Sequence, residues 1–196
     1  LIDRGCKLIV VACNTATSAA ISHLRETFPH IPFVGLEPAV KPACERTRTG
    51  VVGVVATERS LTGAKFLSTL ARYGGGVRVV KAVGRGFVEA VESDAENAPE
   101  TEAAVRAVVD PVIAEGADII VLGCTHYPFL RDTIKRVVGD RGVEIIDSGE
   151  AVEKRVESLL AEYDMHASGE ATPVFEFLTF ADDAYRERLR RKAFGI

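Results

Sequence analysis

The chain has 196 residues, of which 47% are hydrophobic and 27% charged, and its 24 Lys and Arg against 28 Asp and Glu give a formal net charge of -4. These values are typical of a globular protein with one or two α/β lobes. A nucleic-acid-binding protein would carry a basic patch, and no apolar run here is long enough to cross a membrane. We therefore expect a small-molecule site, with neither nucleic acid nor a membrane as partner.

Apolar strand-like runs alternate with helical patterns along most of the chain. The predicted elements are strand 7–12, helix 15–28, strand 32–36, helix 39–47, strand 51–56, helix 60–73, strand 77–83, helix 100–115, strand 118–123, helix 129–138, strand 143–148 and helix 150–162. A last strand at 174–180 and a charged amphipathic helix at 182–195 follow. Continuous apolar strands separated by helices predict parallel sheets covered on both faces.

The four cysteines are widely spaced, and no signal peptide precedes them: Cys6, Cys13, Cys44 and Cys124. This spacing favours reduced thiols in the cytoplasm over a disulfide framework. The chain begins at Leu1, and its first residues read as the tail of a helix that leads into a strand. We therefore expect a cytoplasmic protein with further residues upstream.

Two distant segments share one pattern. Both LIVVACNTATSAA around Cys13 and IIVLGCTHYPFL around Cys124 contain an apolar strand, a cysteine and then a hydroxyl or amide residue at a helix start. Ligands of α/β sheets bind at the carboxyl ends of strands, where helix N-termini gather N–H donors. The repeat predicts two similar lobes, each of which contributes one thiol to a site.

A thiol at a strand end needs help to act as a base. Its ordinary pKa is about 8.5, and each unit of depression requires about 1.4 kcal/mol of preferential stabilisation of the thiolate. A helix N-terminus supplies about 0.3 to 1 kcal/mol, or roughly 2 when partly buried, so a partner is needed. His126 is the candidate partner of Cys124. Asn14, Thr15 and Thr125 bring donors suited to a carboxylate, although helix capping also explains such residues.

Other interpretations of these residues compete with catalysis. A single buried cysteine is more often a small core residue, and Cys6 and Cys44 are interpreted in that way. Cys124 and His126 offer a zinc ion only two of the three or four ligands that it requires, so no metal site is expected. The chain also lacks a G-x-S-x-G elbow and the glycine-rich loops of nucleotide-binding proteins. The pairing of two cysteine segments is what favours a catalytic site.

The same segments resemble a known family. ACNTATSAA and LGCTHYPFL are similar to the two cysteine signatures of glutamate racemases, within the aspartate/glutamate racemase superfamily. EPAVKPA (37–43) and GVVATERSLTG (53–63) resemble further segments of that family, and the histidine after Cys-Thr resembles the glutamate enzymes more than the aspartate enzymes. The resemblance implies an α/β fold of two pseudosymmetric doubly wound lobes, with mainly parallel sheets and the active site between them.

The resemblance also implies a racemase that needs no cofactor. One thiolate removes the α-proton of glutamate and the opposite thiol returns a proton, with Cys13 acting on D-glutamate and Cys124 on L-glutamate. Glu92 matches a carboxylate that orients the catalytic histidine, His126. The substrate-binding positions that the resemblance implies are Asn14, Thr15, Thr57, Ser60, Thr125 and His126.

The chain departs from the family pattern in two places. The family carries an Asp-Ser-Gly segment, whose Asp assists the first cysteine, and a Tyr-Gly pair, and neither precedes Cys13. Val83 and Gly84 stand where the family usually has Cys-Pro. We expect residues 1–37 and 147–196 to form one lobe and residues 38–146 the other.

The resulting functional hypothesis is supply of D-glutamate for peptidoglycan, with glutamate as the small-molecule substrate and a homodimer as one assembly to test. A neighbouring hypothesis is a racemase for aspartate or another amino acid. The third is a binding or regulatory fragment that keeps the fold without the chemistry.

Overall fold

The computed structural model describes residues 1–169 and 172–194. The chain divides into two compact units, Leu1–Asp164 and Met165–Ile196. The first unit contains both cysteine segments and two parallel sheets. The lobe boundaries expected at residues 37 and 147 differ from this division and stay a prediction. Within the described part of the chain, none of the helices combines the length and apolar character needed to span a membrane.

The smaller sheet is built from one strand–helix–strand unit: β1 (Ile9–Val11), α1 (Asn14–Thr27) and β2 (Phe33–Gly35). The hydroxyl of Thr17 in α1 ties the ends of both strands together. It donates to the carbonyl of Val11 at 3.1 Å and accepts from the backbone N–H of Leu36 at 2.9 Å. A Cβ at Gly35 would lie 2.5 Å from Thr17 Cγ2, so this close approach requires glycine.

The larger sheet contains four parallel strands: β3 (Val51–Ala56), β4 (Arg78–Val83), β5 (Ile119–Leu122) and β6 (Glu144–Ile146). Their spatial order is β4-β3-β5-β6. From β3 the chain continues to β4 at one edge of the sheet, and from β5 it continues to β6 at the other edge. The direction of winding therefore switches between β3 and β5. In such sheets the switch point opens a crevice outside the carboxyl ends of the strands.

The helices that accompany this sheet are α2 (Val40–Arg46), α3 (Glu58–Thr62), α4 (Ala64–Tyr73), α5 (Phe87–Glu92), α6 (Pro99–Ala114) and α7 (Arg131–Val138), whereas α8 (Gly149–Glu162) contacts β2 of the smaller sheet. Two buried apolar clusters cover the two faces of the larger sheet. Residues of α5, α6 and α7 form one cluster with β3 and β5, and residues of α2, α3 and α4 form the other. The predicted α/β fold with parallel sheets is therefore confirmed, as is the expectation from continuous apolar strands that both faces are covered.

The structure corrects the prediction at two helices. The helix predicted over 60–73 is interrupted at Gly63, whose backbone is extended (φ -65, ψ 140) and whose added Cβ would lie 2.8 Å from Ser18 Oγ in α1. The close approach of α1 explains the break. The second cysteine segment does not lead directly into an α-helix, because a turn and the 3₁₀ helix Tyr127–Leu130 precede α7.

The second unit contains α9 (Asp183–Phe194), and residue 195 of the predicted helix lies outside the described residues. The strand predicted over 174–180 is wrong, since these residues have no regular secondary structure. Val174, Leu178 and Phe180 are exposed. A strand is stable only when another strand pairs with it, and the described part of this unit offers none.

Candidate active site

Three strand ends position the side chains that the sequence singled out. Thr57 follows β3 directly, Cys124 lies two residues beyond β5, and Cys13 lies two residues beyond β1. The backbone N–H of Gly123 donates to Val55 O at 2.8 Å, which keeps the ends of β3 and β5 level. Thr57 and Cys124 therefore flank the switch point of the larger sheet, where a ligand site is expected.

The Cys13 thiol caps α1. Its backbone is extended, with φ -153 and ψ 121, and Sγ accepts a hydrogen bond from the backbone N–H of Ala16 at 3.5 Å. Capping was expected of the residues after the cysteine, but the cysteine itself takes the position of the N-cap. The sulfur therefore lies at the start of a 14-residue helix, beside the N–H donors of the first turn and the positive end of the helix dipole.

Asn14 connects the two cysteine segments. Its Nδ2 donates to the carbonyl of Gly123 at 2.9 Å, so the residue after Cys13 binds the residue before Cys124. The Asn14 side chain is buried, and its Oδ1 accepts no hydrogen bond from the described residues. An added Cβ at Gly123 would lie 2.8 Å from the Cβ of Ala56, so the contact also depends on a glycine.

Opposing influences act on the Cys124 thiol. Burial raises its pKa most, and a hydrogen bond from the backbone N–H of His126 opposes this increase. A nearby charge on Cys13 raises the pKa further, whereas the backbone N–H groups of Tyr127 and Thr125 lower it. The pKa of Cys124 is raised overall, so Cys124 is a neutral thiol at pH 7 and needs a base to become a thiolate.

His126 is placed to be that base. Its Nδ1 lies 3.9 Å from Cys124 Sγ, and its Nε2 lies 2.7 Å from Glu92 Oε1. An ionised carboxylate can only accept a hydrogen bond, so Nε2 carries the proton and Nδ1 of the neutral ring presents a lone pair to the thiol. The arrangement can move a proton from Cys124 to His126 and stabilise the imidazolium that results.

Hydroxyl groups cluster beside the start of α1. Ser60 Oγ lies 2.8 Å from Thr57 Oγ1 and 3.2 Å from Thr15 Oγ1, and the two threonine oxygens are 3.4 Å apart. Thr57 caps α3 by accepting from the backbone N–H of Ser60 at 3.2 Å. The predicted hydroxyl residues Thr15, Thr57 and Ser60 are thus brought together in one group.

A cavity of about 220 Å³ is lined by residues of both cysteine segments, among them Asn14, Leu122, Cys124, Thr125, Pro128 and Ser148, but Cys13 and His126 do not line it. Two larger concavities, of about 680 and 510 Å³, contain neither cysteine nor histidine. Chemistry therefore favours the smaller cavity as the ligand site. No cluster of three or more potential metal ligands occurs in residues 1–169 and 172–194.

Sequence reasoning missed two features of this site. Ser148, at the start of α8, lines the cavity, and the side chain of Tyr127 is completely buried beside α5. The serine and glycine that follow β6 are a weak signal for a helix start at a strand end. The tyrosine between histidine and proline carries no signal that separates it from an ordinary core aromatic.

The structure is an α/β protein with two parallel sheets, free thiols at their strand ends and an imidazole–carboxylate pair beside one thiol. The chain belongs to the Asp/Glu/Hydantoin racemase family, whose model matches residues 1–155. This match confirms the family resemblance that the two cysteine segments carry.

Curated relatives are named glutamate racemase. The one from Ectopseudomonas mendocina is 46% identical over 168 residues, which cover 86% of this chain and 64% of the relative. The one from Herpetosiphon aurantiacus is 46% identical over 191 residues, which cover 97% of this chain and 74% of the relative. The chain thus spans less than two thirds of the length of the first of these relatives.

A solved structure extends the comparison to the fold. Escherichia coli glutamate racemase, in complex with L-glutamate and the activator UDP-MurNAc-Ala, superposes with a TM-score of 0.78 at 29% identity. The match covers 94% of this chain and 70% of that protein.

Proposed function

We propose that the protein interconverts L-glutamate and D-glutamate by proton transfer at the α-carbon, without a cofactor. The observation that carries the proposal is the hydrogen bond from Asn14 to Gly123, because it joins the segments that hold Cys13 and Cys124. Racemisation needs an acid and a base on opposite faces of one carbon, and we assign these two roles to Cys13 and Cys124. The names of the relatives support glutamate as the substrate.

The proton transfers balance in either direction. The thiolate of one cysteine takes the α-proton, so that the C–H bond breaks and an S–H bond forms. The thiol of the other cysteine then gives its proton to the opposite face of the carbanion and becomes a thiolate. By family resemblance, Cys13 acts on D-glutamate and Cys124 on L-glutamate. The next turnover begins from the opposite protonation state or after exchange of protons with water.

Activation of the two thiols differs. His126, oriented by Glu92, receives the proton of Cys124, and backbone N–H groups around the sulfur stabilise the anion. Cys13 has the first turn of α1 as its support. We assign Asn14, Thr15, Thr57 and Thr125 to the binding of the amino and carboxylate groups of the substrate, where preorganised donors also stabilise charge that develops on the carbanion.

Exchange of the α-proton in deuterated water tests the proposal. Cys13→Ala and Cys124→Ala are each expected to lower the racemisation rate by far more than tenfold, or roughly 1.4 kcal/mol of barrier. Cys6→Ser and Cys44→Ser are the matched controls and should keep the rate. A loss smaller than about tenfold in either active-site variant contradicts the two-thiol chemistry.

The same assay separates the alternative functions. Faster exchange of aspartate or another amino acid than of glutamate would assign the site to that substrate. Binding of glutamate by calorimetry without any exchange would indicate a binding or regulatory protein. Supply of D-glutamate for peptidoglycan in the cytoplasm, and assembly as a homodimer, belong to the proposal and depend on its first step.

A further inference from the structure

The start of α5 is held by the side chain of Tyr127. The hydroxyl of Tyr127 donates to the carbonyl of Gly84 at 3.1 Å, and its ring packs edge to face against Phe87, the first residue of α5, with centroids 5.1 Å apart at 68°. Both rings are completely buried. An added Cβ at Gly84 would lie 2.6 Å from the tyrosine oxygen. The glycine that this chain has at position 84, where the family usually has Cys-Pro, therefore leaves room for the contact.

The other end of α5 carries Glu92, which binds His126, the residue before Tyr127. Consecutive residues of one segment therefore hold the two ends of a helix that is six residues, or about 9 Å, long. The Glu92 and His126 side chains are 38% and 31% exposed. A part-exposed contact between imidazole and carboxylate contributes little when both side chains must be ordered to form it, so the pair depends on a helix that is already in place.

We propose that Tyr127 is a positioning residue for the acid/base chemistry of Cys124. Its contacts with Gly84 and Phe87 hold α5 in the position at which Glu92 meets His126, and His126 in turn faces the thiol. This proposal depends on the proposed function in one respect, namely that Cys124 transfers a proton during the reaction. The state of the thiol itself can be measured without turnover.

The test follows alkylation of Cys124 by iodoacetamide across pH, quantified on the cysteine peptides by mass spectrometry. Only the thiolate reacts, so loss of the Glu92–His126 pair slows the reaction. We expect Glu92→Gln to slow alkylation about fivefold at pH 8 and Tyr127→Phe about threefold, the range of a part-exposed contact with a carboxylate. Tyr163→Phe, at a tyrosine that is 54% exposed, is the matched control and should match the unmodified protein.

A double-mutant cycle separates positioning from a purely structural role. If Tyr127 acts through Glu92, the Glu92→Gln/Tyr127→Phe variant reacts no more slowly than Glu92→Gln alone. Multiplied effects in the double variant, or a normal alkylation rate in Tyr127→Phe, overturn the proposal. The rate at Cys13, read from the same digest, should change far less than the rate at Cys124.

A second variant tests the ring contact while the Tyr127 side chain is kept intact. Phe87→Leu keeps the tyrosine hydroxyl and most of the apolar volume but removes the ring contact, and it should slow Cys124 alkylation in the same direction as Tyr127→Phe. A normal rate in a folded Phe87→Leu protein counts against the ring contact as part of the mechanism. The expected alkylation pattern in a chain that fails to racemise glutamate would refute the proposed function and leave the positioning role in place.

Discussion

Replacement of Asn14 by alanine separates the role of this residue in stability from its role in the site. The Asn14 amide makes one buried hydrogen bond, from Nδ2 to the carbonyl of Gly123 at 2.9 Å. Its Oδ1 is also buried and accepts nothing from the described residues. A buried polar atom without a partner is uncommon and costs stability, which makes it a candidate for function.

The two halves of the amide have opposite effects on folding. Loss of the Nδ2 donor leaves the Gly123 carbonyl unsatisfied, which costs about 1 to 3 kcal/mol. Removal of the unpaired Oδ1 relieves a penalty of the same order, so Asn14→Ala should change the free energy of unfolding by only about 1 kcal/mol. The proposed reaction has no such compensation, and if glutamate is the substrate kcat/KM should fall by at least about tenfold, or 1.4 kcal/mol.

Urea denaturation and deuterium exchange measure the two quantities on the same samples. Asn97→Ala, at an exposed asparagine, is the control and should leave both almost unchanged. A loss of stability above about 3 kcal/mol would show that Asn14 is chiefly structural, because it would exceed the expected range for one hydrogen bond. A rate within twofold of the unmodified protein would likewise refute the reasoning.

Two further predictions concern the framework of the site. Burial raises the pKa of Asp118, but four hydrogen bonds from the loop before β3 outweigh it and lower the pKa overall. Its contribution to stability is therefore full above the unfolded pKa of about 3.9 and is lost as pH falls through the lower folded value. Asp118→Asn should lower the free energy of unfolding by about 3 kcal/mol at pH 7, as measured by urea denaturation. This difference in stability should become smaller below about pH 4. Asp110→Asn, at a part-exposed ion pair, is the control and should cost under about 1 kcal/mol. Gly123→Ala places a Cβ 2.8 Å from the Cβ of Ala56, so it should lower the free energy of unfolding by about 1 to 3 kcal/mol and slow exchange of the substrate α-proton. In Gly75→Ala the added Cβ meets nothing within 4 Å, so this control should change neither quantity. Equal melting temperatures for the two glycine variants would contradict the steric argument.

The strand ends could be predicted from sequence because buried parallel strands leave a local signal. Continuous apolar runs placed Cys13 and Cys124 beyond β1 and β5 within a residue or two. The apolar run at 174–180 gave the same signal, but the strand predicted there is not formed, because pairing between strands is a property of the fold and not of one segment.

Contacts between distant segments were beyond the reach of periodicity. The Glu92–His126 pair could be anticipated only through family resemblance, since 34 positions separate the partners. The contact between Tyr127 and Gly84 was not anticipated, because an aromatic residue in a buried turn has many sterically acceptable neighbours. Local patterns thus located the thiols, whereas tertiary packing determined what supports them.

The N-cap position of Cys13 has a consequence for protein engineering. Ser, Thr, Asp and Asn stabilise a helix start better than most residues, so a selection for heat resistance would favour Cys13→Ser or Cys13→Asp. The same replacement would remove the sulfur that the proposed reaction needs. Libraries that aim at a more robust form of this protein should therefore hold position 13 constant, since the assay for stability and the assay for turnover would rank its variants in opposite orders.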